Sequence, residues 1–86
     1  MHDTFLNENI YTTIVNICKQ SSITRVNNLI VTVHTDSHIT KESLREYFQD
    51  RSNTLVGVWT NIVVKHREIE KLTAVLDHID GETVND

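Results

Sequence analysis

Residues 27–35 read NNLIVTVHT, and residues 36–48 continue DSHITKESLREYF. In the first segment Leu29, Val31 and Val33 alternate with Asn28, Ile30, Thr32 and His34. Because neighbouring side chains of a strand point to opposite faces, this period of two predicts a strand with one face in the core. The polar run 35–38 predicts a turn after it.

The second segment predicts a helix with a well-defined start. Thr40 suits the N-cap position, and Glu42 suits the positive end of the helix dipole. Ile39 and Leu44 have the spacing of a hydrophobic staple across that cap. The apolar side of this helix comprises Leu44, Tyr47 and Phe48, and we expect the helix to end near residues 51–53.

A first helix is predicted before the strand. Leu6, Ile10, Ile14 and Ile17 recur at helical spacing and form one narrow stripe. Asp3 or Thr4 can cap the start of this helix, and the pair at 21–22, both serine, closes it.

Two more strands are predicted towards the end of the chain. In the first, Val56, Val58, Ile62 and Val64 share one face, with Trp59 and Val63 opposite; in the second, Leu72, Ala74 and Leu76 share a face, with Val75 and Ile79 opposite. The short polar link at 65–68 predicts that these two strands form an antiparallel hairpin. The expected fold class is α+β, with two helices on one face of a three-stranded sheet, in the order helix, strand, helix, strand, strand.

Two helices cover only one face of such a sheet. The second face is predicted to carry the apolar residues Ile30, Trp59, Val63, Val75 and Ile79. An apolar patch on a small protein typically marks a contact surface, and tryptophan is enriched at the energetic centres of interfaces. Apolar residues scattered singly among polar neighbours are the alternative interpretation.

Composition restricts the function classes. The 86 residues suffice for one small domain, and the net charge of −4 argues against nucleic acid and anionic membranes as partners. The single cysteine, Cys18, allows neither an internal disulfide nor a tetrathiolate zinc site within one chain. We find no signal peptide, membrane span, phosphate-binding loop or acid–base constellation, so a soluble, cytoplasmic, non-enzymatic protein is expected.

The opening residues Met1, His2 and Asp3 bring several metal donors together. They are the α-amine, two main-chain nitrogens, an imidazole and a carboxylate. Nitrogen donors converging in a plane suit Ni(II) or Cu(II), which favour square-planar coordination. The alternative is a terminal histidine that only faces water.

One resemblance covers most of the chain. Residues Arg25 and Val26, the alternating strand through Val33, the run SHITKESLR at 37–45, and Phe48 are similar, without a gap, to the HypA family of nickel accessory proteins for [NiFe]-hydrogenase and urease. The family opens Met-His-Glu, where this chain opens with residues 1–3, MHD. Residues 54–57 resemble the family's passage into its second strand.

The resemblance implies a nickel-binding domain of residues 1–86, with Ni(II) held by His2, the main chain of Asp3 and the Met1 amine. The family inserts a zinc domain with two Cys-x-x-Cys pairs between its last two strands. Residues 65–70 replace that domain here, so no structural zinc is expected. The leading hypothesis is a metallochaperone that passes nickel to a metalloenzyme or maturation protein. The second is an interaction module of the same fold whose metal site has lapsed, acting as a dimer or in a hetero-complex.

Overall fold

The structure is a computed structural model, and it describes residues 4–51 and 54–84. In chain order it contains five elements: α1 (Thr4–Gln20), β1 (Ile23–His34), α2 (Lys41–Asp50), β2 (Asn61–Arg67) and β3 (Ala74–Thr83). Two helices and one three-stranded mixed sheet make an α+β fold, so the predicted class and element order are confirmed.

One hydrophobic core lies between the helices and a single face of the sheet. Its buried members are Leu6, Ile10, Ile14 and Cys18 of α1, Val26, Leu29, Val31 and Val33 of β1, Ile39, Leu44 and Phe48 around α2, and Val56 and Ile62. We call the sheet face that packs on this core the inner face. Both helices contribute to the same cluster, so the opposite side of the sheet receives no cover from either helix.

Local hydrogen bonds define the ends of the helices. The Thr40 hydroxyl accepts a hydrogen bond from the Ser43 amide at 3.1 Å, and the Ser43 hydroxyl accepts one from the Thr40 amide at 2.9 Å. This reciprocal pair is a capping box, which satisfies two amides at the start of α2. At the end of α1, Ser22 adopts a left-handed φ of 58°, which turns the chain into β1.

The strand order corrects the predicted hairpin. The sheet runs β2-β1-β3, with β1 parallel to β2 and antiparallel to β3, so β2 and β3 do not pair. The link from β2 to β3 must cross the end of β1. The distance is two strand spacings, only about 10 Å, so a short link is sufficient. Contacts at that end support the crossing: the Thr35 amide donates to the Arg67 carbonyl at 3.0 Å, and the Thr35 hydroxyl donates to Glu68 at 3.1 Å.

Two residues expected on core-facing strand positions lie elsewhere. Val58 belongs to the loop before β2 and is 82% exposed, because β2 begins only at Asn61. Leu72 precedes β3, has a left-handed φ of 63° and is 68% exposed. Alternation extrapolated through a loop assigned both residues to the wrong environment.

Candidate functional site: the outer face of the sheet

The strand register defines the face that the helices leave uncovered. Asn28, Ile30, Thr32 and His34 of β1 pair in register with Asn61, Val63, Lys65 and Arg67 of β2. The β1 residues alternate with the buried Leu29, Val31 and Val33, so this side of the sheet points away from the helices. Neighbouring side chains cover part of it, since Thr32 is 8% exposed and the His34 side chain 12%. The β3 residues on the same side of the sheet, which pair with or contact these β1 residues, are Val75, Asp77, His78 and Asp80. We call these twelve residues the outer face.

The outer face carries three apolar side chains, one on each strand. Ile30 on the middle strand pairs in register with Val63, and Val75 pairs with Thr32 one step further along β1. Val63 is 38% exposed and Val75 is 48% exposed, while Ile30 is half-buried between its neighbours. The structure therefore brings three of the five predicted contact residues together in one patch.

A β-bulge moves Ile79 to the other side. The β1–β3 register shifts between Ile30 and Val31, so that His78 pairs with Ile30 and Leu76 pairs with Val31. One extra residue, Asp77, lies between those pairs and reverses the alternation beyond it. Ile79 consequently pairs with Leu29 and packs against the core, which corrects its predicted outer position.

Trp59 lies in the loop before β2 and not on a strand. The Arg25 guanidinium lies 4.2 Å from the centre of the Trp59 ring, a cation–π distance. Arg25 alternates with the buried Val26 and therefore points to the outer side. A Cβ added at Gly57 would lie 2.4 Å from two ring carbons of Trp59, so the ring occupies space that only glycine leaves open.

A buried polar network fixes this loop. The Thr60 hydroxyl donates to the Val26 carbonyl at 2.8 Å and accepts from the Gly57 amide at 3.1 Å. Arg45 of α2 donates to the carbonyls of Gly57 at 3.2 Å and Thr60 at 2.6 Å. The network ties α2 and β1 to the loop, and it holds the 39%-exposed Trp59 at one end of the outer face.

The margins of the outer face carry opposite charges. Lys65 and Arg67 lie on β2, whereas Asp77 and Asp80 lie on β3. The bulge that turns both aspartates to one face has no local sequence signal, so their common position does not follow from the sequence.

Hydrogen bonds orient the acidic margin. The Asp77 carboxylate accepts a hydrogen bond from the Thr32 hydroxyl. Asp80 Oδ1 accepts a hydrogen bond from the side-chain Nδ2 of Asn28 at 3.0 Å, and Asp80 Oδ2 lies 2.7 Å from His78 Nε2. The bonds from His78 and then Asn28 lower the pKa of Asp80, which keeps this carboxylate ionised.

The predicted metal donors Met1, His2 and Asp3 lie outside the described residues. Within 4–51 and 54–84, no three side chains of histidine, cysteine, aspartate or glutamate come together as a metal site. Cys18 is a free, buried thiol, and burial raises its pKa, which disfavours the thiolate.

A cavity of about 340 Å³ separates α1 from the start of β3. Leu6, Ile10 and Ile14 of α1 form one wall, and residues 72–74 and Leu76 form the other. A smaller cavity of about 120 Å³ lies at the end of β1, where His34 and Asp36 lie close to Leu6. There the His34 Nδ1 accepts a hydrogen bond from the Asp36 amide at 3.0 Å.

Comparisons of the chain with protein-family models, with curated proteins and with solved structures gave no match. In the described ranges, neither helix combines the length and the apolar character needed to cross a bilayer. The candidate site therefore rests on the chemistry of its residues.

Proposed function

We propose that this protein is a non-enzymatic interaction module whose contact surface is the outer face of the sheet. The observation that supports it is the composition of that face: one exposed valine on each edge strand beside the half-buried Ile30, with basic side chains on β2 and acidic side chains on β3. Protein interfaces commonly combine apolar side chains with polar and charged ones in this way. Trp59 and Arg25 extend the surface at one end, and both residue types are enriched among interface hot spots.

Energetics favour a binding role for Val63 and Val75. Each leaves apolar area in water that a partner would bury, at roughly 25 cal/mol per Å². The core on the inner face is complete without them, because Leu29, Val31 and Ile62 already pack under the helices. Substitution of Val63 by threonine, which keeps the β-branched shape that strands favour, should therefore reduce binding and lower the free energy of unfolding by no more than about 1 kcal/mol.

The test uses a photo-crosslinking amino acid placed at Val63, irradiated both in cells that naturally make the protein and in the purified protein at millimolar concentration. A discrete covalent adduct is expected on irradiation, because the partner covers this side chain. The matched control carries the same amino acid at Glu46, an exposed position of α2. Absence of an adduct from position 63, or equal labelling from position 46, would overturn the proposal.

A second candidate is the nickel metallochaperone implied by the resemblance to the HypA family. It is supported by the architecture of the chain, since the resemblance implies a domain of helices and a three-stranded sheet, and this chain has two helices on such a sheet. The donor set also suits the metal, since an amine, amide nitrogens and an imidazole are ligands for square-planar Ni(II). In this role Met1, His2 and Asp3 hold the ion as cargo, and the outer face contacts the protein that receives it.

Nickel titration separates the two candidates. Untagged protein should bind one Ni(II), and affinity should rise with pH because the ligand nitrogens lose protons on binding. His2→Ala and an N-terminally extended form are the controls, and both should bind much more weakly. Equal binding by all three forms would eliminate the nickel proposal and leave the interaction proposal standing.

A further inference from the structure

The outer face is polarised across its width. Its basic side chains, Lys65 and Arg67, belong to β2, and its acidic side chains, Asp77 and Asp80, belong to β3. Between them the middle strand contributes the uncharged Asn28, Ile30 and Thr32, and its outer-side cation, Arg25, lies beyond Asn28 and stacks on Trp59. A surface with basic side chains on one edge strand and acidic side chains on the other is complementary to itself when it is turned over.

From this complementarity we propose that the partner of the outer face is a second copy of the chain, an inference that rests on the proposed function. The two copies pack face to face about a twofold axis parallel to β1. Such an axis places β2 of each copy over β3 of the other, and Ile30 close to the axis. A twofold axis across the strands would instead stack β2 on β2 and oppose like charges, so the charge distribution selects the first arrangement.

The register places one opposite pair of charges, Lys65 and Asp77, at the same height, whereas Arg67 beside His34 and Asp80 beside Asn28 lie at opposite ends of the face. Lys65 pairs with Thr32, and the Thr32 hydroxyl donates to Asp77, so the cation and the carboxylate lie at one level on opposite sides of β1. The twofold axis preserves this height and brings Lys65 of each copy over Asp77 of its partner. Val63, Ile30 and His78 form one row across the sheet. In the dimer Val63 of each copy therefore lies over His78 of the other, with Ile30 between them near the axis.

The dimensions of the face determine the strength of the dimer. Three strands of about seven residues present roughly 14 × 23 Å, or about 650 Å² from both copies together. This estimate lies well below the area buried by stable complexes, at the lowest end of the range for transient ones. We therefore expect a dimer that forms only at high concentration, weakens with added salt and exchanges rapidly.

Charge exchange between two variants tests the arrangement. Lys65→Glu opposes two carboxylates in a homodimer, and Asp77→Lys opposes two ammonium groups, so each variant alone should dimerise at least about tenfold more weakly than the natural chain. Mixed together, they restore both pairs, and a heterodimer should form. Sedimentation velocity from the micromolar to the millimolar range measures all three samples. The control pair is Lys19→Glu with Glu46→Lys, which changes the same charges on the exposed helix surfaces and should have no effect.

A measurement on the unaltered chain keeps the inference falsifiable if Asp77→Lys fails to fold. On dilution, amide NMR shifts should change for residues 28–34, 61–67 and 75–80 and remain constant along α2. A monomer up to millimolar concentration, or shifts confined to the helices, would overturn the dimer. A crosslinked adduct at Val63 with a different protein would then leave the proposed function intact, whereas absence of any adduct would remove both.

Discussion

Replacement of Thr60 by valine tests how the loop that carries Trp59 is held. Thr60 is 2% exposed, and its hydroxyl makes two hydrogen bonds, to the Val26 carbonyl and from the Gly57 amide. Valine has nearly the same shape but leaves both backbone groups without this partner inside the protein. At about 1–2 kcal/mol for each buried group, the free energy of unfolding should fall by about 2–4 kcal/mol. For a domain of this size that corresponds to a decrease in Tm of roughly 10–30 °C.

Urea denaturation followed by circular dichroism and by the fluorescence of Trp59, the sole tryptophan, measures this change. Thr24→Val is the matched control, because the Thr24 hydroxyl is exposed and donates to the Glu82 carbonyl at 3.3 Å. That substitution should cost less than about 0.5 kcal/mol. If Thr60→Val costs no more than Thr24→Val, the network does not fix the loop, and the described position of Trp59 loses its physical basis.

Three further predictions concern the cap of α2 and two titrating groups. Thr40→Ala removes the capping box and should lower the free energy of unfolding by about 0.5–2 kcal/mol in urea titrations, whereas Glu46→Ala in the same helix should have little effect. Asp80 has a lowered folded-state pKa, so its stabilising contribution is complete above the ordinary carboxyl pKa and is lost as the pH falls through the folded value. The free energy of unfolding of the natural chain should consequently decrease more than that of Asp80→Asn between about pH 6 and pH 2. Burial raises the pKa of Cys18, so the contribution of its thiol to stability is complete below the ordinary thiol pKa and decreases as the pH rises above that value. Cys18→Ala should therefore reduce the loss of stability at alkaline pH. An unchanged slope would exclude the thiol as the cause of that loss.

The elements of the fold could be predicted because their signals are local. Leu29, Val31 and Val33 identify β1 by alternation, and Thr40 marks the start of α2 by a side chain that reaches only three residues along the chain. The boundaries of β2 and β3 were less accurate, since Val58 and Leu72 continue an apolar pattern through loops whose backbone leaves the strand conformation.

The candidate site was predictable only in part. Ile30, Val63 and Val75 follow from alternation within single strands, and the structure places them on one face. Ile79 and Asp77 did not follow, because one bulge in β3 exchanges the faces beyond it. The stacking of Arg25 on Trp59 joins positions 34 residues apart, and no local pattern indicates it.

By itself, the sequence determined which segments are helical or extended and which side chains need burial, because periodicity and capping act over a few neighbouring residues. Tertiary structure alone decided that β1 lies between β2 and β3, and that the basic and acidic strands form opposite edges of one face. The backbone hydrogen-bonding groups of every strand are the same, so pairing carries no sequence code of its own. The strand order is the one that buries the inner face under both helices. The polarised outer face is a consequence of that order.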